Sequence, residues 1–482
     1  MRMRAFSMAA VALAAAVGPV AASGAMRPAP SYLNGAVVYQ IALRNFTRSG
    51  DFKGAAAMLE HIRSLGTDVV YLTPFVEMDR DMAWSGWSPR QRAAGYHNPK
   101  NPYRISDYDK IDPEYGNDAD FAAFNAKAHE LGMKVYMDLV YLHCGPNNVL
   151  KDKFADAFQK NADGTVRTTI WNWPYVNFAS KGVRKYLIDS MLHWMRLGCD
   201  GFRCDVGDQV PIDFWVEAVT ACQKVNPELV MINEGTKVEW LEKAFDACYA
   251  WPWSFTLRHA INPGTTTYGH VKKGERLSES MRRVRDYEAK IPSGTYMFCF
   301  MDNHDTAPDD HERRFDRILP VEAGNVGFAL TFLRRGIALV FNGNEIADSA
   351  ENTMLAAVED MSRPFRSVDW GRALQPDGQR RLALIRRLAE LRHGERVFRE
   401  GSQEWLDTTE PDAVVAFARR LEDGTSAYVY GNVKGEAVEF SVRSAALPPD
   451  VREVMAHAAE RRGDTLRLGP WGYWAVKAAR TR

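Results

Sequence analysis

The sequence lacks an excess of charge of either sign: 61 Lys and Arg are balanced by 61 Asp and Glu over 482 residues. A balanced chain offers no electrostatic footprint for nucleic acid or an anionic membrane surface. No stretch beyond the N-terminal segment is long and apolar enough to span a bilayer. Cysteine is scarce, with six residues (Cys144, Cys199, Cys204, Cys222, Cys248, Cys299) and no C-x-x-C pair. Several of them sit in or beside apolar, strand-like runs, which predicts mostly buried free thiols rather than a disulfide framework or a zinc site. There is no Gly-rich phosphate turn and no H-E-x-x-H, so the usual marks of dinucleotide binding and zinc proteolysis are missing. What remains is a globular profile, 46% apolar and 25% charged, on a chain long enough for two or three domains and a large core.

The N-terminus reads as an address. Arg2 and Arg4 precede an apolar, Ala-rich run over 8–17, and Ser23, Gly24 and Ala25 supply small residues. This predicts a signal peptide over 1–25, cut after Ala25 or Ala22, and a secreted or periplasmic protein. With no twin-Arg pair and no Cys just after the apolar run, a lipid anchor is not expected.

From there, β-rich runs alternate with helical periodicity. Strands are predicted at 37–41, 68–73, 133–140, 200–205, 229–233, 247–250, 296–301 and 337–341. Helices are predicted at 53–65, 117–131, 180–197, 211–225, 237–245, 275–289, 322–335 and 378–391. Eight strand-then-helix units imply an α/β fold, a (β/α)8 TIM barrel over 26–395. An open doubly wound sheet fits less well, because polar residues recur at the ends of many successive strands. Long irregular stretches follow the second strand (75–112) and the third (144–177), the latter a short inserted domain. Beyond about Phe398, short alternating runs such as 413–417, 426–430 and 437–440 predict an antiparallel β-sandwich domain over 396–482.

Barrel enzymes carry their chemistry at the C-terminal ends of strands. Strand three ends with Asp138 and His143, strand four with Arg203 and Asp205, strand five with Glu234, and strand seven with Asn303, His304 and Asp305. In G-F-R-C-D (201–205), Arg203 and Asp205 are two apart and would share a face. By itself that pair reads equally as a salt bridge closing a strand. Three converging carboxylates, Asp205, Glu234 and Asp305, repel one another and require at least one raised pKa. Such a set suits glycoside hydrolysis, where one carboxylate attacks and one acid protonates the leaving oxygen. Taken singly, each Asp could be a turn residue and each His a packed core histidine. A metal cluster is the further alternative.

Four of these motifs, D-L-V-Y-L-H (138–143), G-F-R-C-D (201–205), I-N-E-G (232–235) and D-N-H-D (302–305), resemble the α-amylase family of glycoside hydrolases in order and content. N-P-Y-R-I-S-D-Y (101–108) and G-I-A-L-V-F-N-G-N-E-I (336–346) resemble the family as well. The resemblance implies catalytic roles for Asp205 as nucleophile, Glu234 as acid/base and Asp305 as transition-state stabiliser. It implies that Arg203 keeps Asp205 ionised, that His143, His304 and Tyr103 contact the sugar, and that Asp138 orients groups at the mouth. The implied substrate partner is an α-glucan or oligosaccharide.

The chain also departs from the family pattern. The Asn that often ligates calcium before the His of the strand-three motif is Leu142 here, so no metal ligand is assigned and calcium is left open. The Lys-His pair common after the nucleophile is absent from Val206-Gly207-Asp208-Gln209, so leaving-side recognition should differ. Arg104 follows Tyr103 where many α-glucosidases have Asp, which speaks against strict exo-glucosidase action. Trp84, Trp87, Trp171 and Trp173 fall in the two long loops, as sugar platforms or as packing. The expected activity is retaining hydrolysis of α-glucosidic bonds. Transglycosylation and a non-catalytic glycan-binding role are the alternatives.

Overall fold

A computed structural model of the protein describes residues 28–94, 97–265, 267, 269–306, 314–350, 353–356, 367–444 and 447–478. The expected signal peptide, 1–25, lies outside them. In chain order the first strands are β1 (Val37–Ile41) and β2 (Val69–Leu72). A two-stranded antiparallel ribbon, β3 (Val76–Met78) with β4 (Ile105–Ile111), follows inside the stretch expected to be loop. Six strands then continue the first pair: β5 (Lys134–Leu139), β6 (Gly201–Cys204), β7 (Val230–Asn233), β8 (Ala247–Tyr249), β9 (Tyr296–Phe300) and β10 (Ile337–Phe341). The order β1-β10-β9-β8-β7-β6-β5-β2 closes on itself, and every neighbouring pair is parallel. This is the TIM barrel that the alternating pattern predicts.

Strand alternation sorts the core into two layers. Val38, Val69, Tyr71, Tyr136, Val230, Ile232, Tyr249, Phe298 and Leu339 fill the barrel, whereas Val37, Val70, Val135, Phe202 and Cys204 face the helices. Gly201, the first residue of G-F-R-C-D, has a role here. A Cβ at that position would come within 2.8 Å of the Tyr136 ring and 2.7 Å of the Val230 carbonyl oxygen. Only glycine lets β6 pass the tyrosine that plugs the barrel.

The helices largely sit where periodicity places them. Asn117 caps Asp118–Glu130 by accepting from the amides of Ala119 and Asp120, and Ser180 caps Lys181–Arg196. Two differences stand out. The helix predicted over 53–65 is broken at Met58 into Phe52–Ala57 and Leu59–Ser64. A helix that periodicity does not predict, Trp251–Ile261, follows β8 directly. Nine of its residues are buried, so it carries no polar face to reveal it. All six cysteines are free and buried, as expected.

The C-terminal part is antiparallel: β11 (Ser402–Trp405), β12 (Val414–Arg420), β13 (Ser426–Asn432), β14 (Val438–Phe440), β15 (Val451–Arg462) and β16 (Thr465–Ala478). Its layers come from one sheet, ordered β11-β12-β13-β16-β14, with β15 along the other edge of the long β16. The sheet curls into a half-barrel. One face has its own core around Tyr430, Phe440 and Trp474. The other, with Phe417, Val429 and Ala475, joins the main core against the helix Val321–Leu333. At that seam a Cβ on Gly431 would meet the Leu330 side chain at 2.8 Å. Gly431→Val should therefore destabilise the protein by about 1–3 kcal/mol through overpacking, measurable as a lowered urea midpoint. An unchanged midpoint would mean that the sheet and helix separate at little cost.

Candidate active site

The predicted site residues meet at the C-terminal mouth of the barrel because the strand ladder delivers them there. Asp138 of β5 and Arg203 of β6 are direct cross-strand partners. The ladder runs on past the strand ends, with the Asp205 amide donating to the Leu139 carbonyl at 2.9 Å and the Glu234 amide to the Cys204 carbonyl at 3.2 Å.

Arg203 is fully buried and is the hub of the site. Its Nη1 donates to both oxygens of Asp138, at 2.7 and 2.8 Å, and to Asp205 Oδ1 at 3.0 Å. Its Nη2 lies 3.0 Å from Glu234 Oε2. The ion pair suggested by the sequence is present, but the cation is divided among three carboxylates. Burial, and then repulsion from Glu234, push the Asp205 carboxyl well above the ordinary carboxylate range against the pull of Arg203. Burial also lifts Glu234, opposed by Arg203. Both shifts favour the protonated forms of these neighbouring carboxyls.

Asp138 also accepts from the Tyr71 hydroxyl at 2.7 Å and the Tyr103 hydroxyl at 2.9 Å. Its four donor contacts leave it beneath the cavity floor together with Arg203. Neither lines the cavity. His304 is likewise buried. Its Nδ1 lies 2.6 Å from Gln40 Nε2, and its backbone amide donates to Gln40 Oε1 at 3.2 Å. The amide nitrogen of Gln40 can only donate, so Nδ1 accepts and Nε2 carries the proton. Nε2 in turn faces the Tyr103 hydroxyl at 2.6 Å and Asp305 Oδ2 at 3.3 Å. Burial brings both His304 and His143 down to about 4, so both rings are neutral near pH 7. His143 Nε2 sits 3.6 Å from Asp205 Oδ2.

Asp305 has its own cation, which sequence reasoning missed. Arg90, on the short helix Pro89–Ala94 of the loop after β3, reaches Asp305 Oδ1 at 3.2 Å and the carbonyl of His304 at 3.0 Å. Burial would raise Asp305, but His304, Arg90 and Arg203 outweigh it and hold the carboxyl below its usual range. No local signal marks Arg90, because its partner is 215 residues away.

Above this floor lies a cavity of about 480 Å³, within the range of sites that enclose small ligands. Asp205, Glu234 and Asp305 all line it, as do Tyr103 and His143. Tyr103 stacks on His304 with ring centroids 5.4 Å apart. The four loop tryptophans divide by burial. Trp87 and Trp173 are buried and bond to the carbonyls of Asp81 and Gly86, Trp171 and Trp173 line the cavity, and Trp84 is half exposed. Arg104 is fully buried against Asp79 and donates to the Asp81 carbonyl at 3.0 Å. It fastens the loop and does not line the cavity. The Gly of I-N-E-G is explained by Asp208. A Cβ on Gly235 would lie 2.1 Å from that carboxylate, which accepts from the Thr236 amide.

The family model described as the α-amylase catalytic domain matches residues 34–164. Over that stretch the chain resembles the α-amylase family of glycoside hydrolases. It is 25% identical over 437 residues to the α-amylase MalA of Haloarcula japonica, covering 84% of this chain and 57% of that one. It is 25% identical over 411 residues to the intracellular maltogenic amylase of Bacillus subtilis, covering 80% and 62%. The chain thus spans less than two thirds of the length of either relative. A solved α-amylase from Lactobacillus plantarum superposes with a TM-score of 0.73 at 23% identity, over 93% of this chain and all of the other.

Calcium is a recurring ion in this family, and the position tested for it does not fit. The Leu142 side chain is buried in the main core and its carbonyl accepts from the Val176 amide at 3.1 Å. A hydrocarbon cannot ligate a hard cation. EDTA should leave the thermal midpoint unchanged; a drop reversed by added calcium would reveal a different oxygen set. The raised Asp205 carboxyl has a second consequence. Folding tightens its proton, so its ionisation costs stability as pH rises above the ordinary Asp value. Asp205→Asn should gain about 0.5–2 kcal/mol near pH 7, with the gain fading toward about pH 4. Urea titrations at both pH values check this, and a loss at neutral pH would contradict the assigned direction.

Proposed function

We propose that the protein is a retaining hydrolase of α-glucosidic bonds in α-glucans or malto-oligosaccharides. The observation that carries this reading is the convergence of Asp205, Glu234 and Asp305 on one cavity, with the first two held on a single buried guanidinium. Sharing one fork favours the close spacing of about 5–5.5 Å that a retaining pair needs, over the wider gap of inverting pairs. The amylase relatives named above support α-glucans as the substrate class.

In this mechanism Asp205 attacks the anomeric carbon while Glu234 gives its proton to the leaving oxygen. A glycosyl ester forms on Asp205 and the leaving sugar departs with that proton. Glu234, now ionised, takes a proton from the incoming water, which hydrolyses the ester and restores both groups. Burial raises both carboxyls, the direction that a proton-donating acid requires. Positive charge developing on the sugar ring favours the ionised form of Asp205. Asp305, kept ionised beside Arg90, would accept from sugar hydroxyls that tighten as the ring flattens. Neutral His143, which lines the cavity, can donate without adding charge, while the His304 Nε2–H is engaged by the Tyr103 hydroxyl. Export is part of the proposal: the N-terminal segment would direct the chain to the periplasm or medium.

Asp205→Asn and Glu234→Gln should each lower hydrolysis of maltodextrin by at least about a thousandfold, within the range for loss of a group acting as nucleophile or acid. Reducing-end release measures this. Activity that survives in Asp205→Asn would refute the mechanism. Longer products without net reducing-end release would assign transglycosylation instead. N-terminal sequencing of exported protein should find a start after Ala22 or Ala25, and an intact N-terminus would refute export by cleavage.

A further inference from the structure

We infer that the stacked rings of Trp251, Phe255 and His270 hold the leaving-side sugar, in place of hydrogen-bonding side chains after the nucleophile. The inference rests on the hydrolase reading above. The three rings are nearly parallel. Trp251 and Phe255 have centroids 5.0 Å apart at 14°, Phe255 and His270 4.9 Å at 11°, and Trp251 and His270 6.2 Å at 20°. All three line the same cavity as Glu234.

Position assigns this wall to the leaving side. The Trp251 indole N–H donates to the Glu234 carbonyl at 3.0 Å, so the wall is fixed beside the residue that protonates the departing oxygen. The polar groups of the lining, Asp305, Arg90, His143 and Tyr103, are left for the glycone. The run 206–209 offers no polar hand. Within it only Val206 lines the cavity. The Asp208 carboxylate is taken by the Thr236 amide at 3.1 Å, and its carbonyl by Lys237 Nζ at 2.7 Å. Phe255 is buried against the other two rings, and the partly exposed Trp251 and His270 offer ring surface to the C–H groups of a pyranose, which gains contact area without requiring matched donors. The ligand class is therefore the sugar of an α-glucoside leaving group, selected by shape and stacking.

The test compares maltotriose, which places a sugar on the wall, with α-maltosyl fluoride, which places none. Trp251→Leu and Trp251→Phe both lose the indole N–H, and only the second keeps an aromatic face. The ratio of kcat/KM for maltotriose to that for maltosyl fluoride should fall about tenfold in Trp251→Leu and recover most of that loss in Trp251→Phe. His270→Ala, on a partly exposed loop, should lower the ratio by a smaller factor. A ratio unchanged in Trp251→Leu and His270→Ala would overturn the wall. So would equal falls in Trp251→Leu and Trp251→Phe, which would mean that the indole N–H acts through Glu234. Wild-type protein inert toward both substrates would overturn the hydrolase reading itself, an outcome distinct from either.

Discussion

Everything at the barrel mouth depends on one buried guanidinium. Arg203 has no access to solvent, so it must be paired, and the carboxylates around it could not be buried without it. Two cations, Arg203 and Arg90, face four carboxyls, Asp138, Asp205, Glu234 and Asp305. The carboxyls outnumber the cations, and burial raises Asp205 and Glu234 toward their protonated forms. The neutral histidines leave the count unaltered, because burial keeps both rings uncharged at pH 7.

The same crowding strains the backbone. Val206, directly after Asp205, adopts φ 43° and ψ 39°, left-handed values that are unfavourable for a β-branched residue. The turn aims the Val206 amide at Glu234 Oε2, at 2.7 Å, so nucleophile and acid are joined by one peptide hydrogen bond as well as by Arg203. Gly201 and Gly235, at either end of this region, remove side chains that would collide with Tyr136 and Asp208. The motif glycines thus serve packing next to the charges, and the motif acids serve chemistry.

These relations explain what the sequence discloses. The barrel was legible because strands buried on both faces by Val, Ile and Phe alternate with capped helices. The carboxylates were legible because a strand end is a local address that a motif can mark. Arg90 was not, since it sits on a six-residue helix in a long loop and gains meaning only from Asp305 across the barrel. The helix Trp251–Ile261 was not, since it is buried all round and lacks a polar face. The resemblance implies that Asp138 orients groups at the mouth and that Arg203 keeps Asp205 ionised. The register that makes them cross-strand partners saturates them with each other, with Tyr71 and with Tyr103, and they become the floor.

The two sides of the cavity differ in kind, and this bears on what happens after the first chemical step. In the proposed mechanism, hydrogen bonds on the glycone side would fix the sugar attached to Asp205. On the leaving side the proposed wall of Trp251, Phe255 and His270 offers stacking. The same surface that holds a departing sugar must hold an incoming one, because the second half-reaction retraces the geometry of the first. A wall that binds sugar strongly keeps an acceptor near the ester and favours transfer, whereas a wall soon vacated admits water. Partition between hydrolysis and transglycosylation would then be set by residence on those rings, because Glu234 serves water and sugar hydroxyl alike.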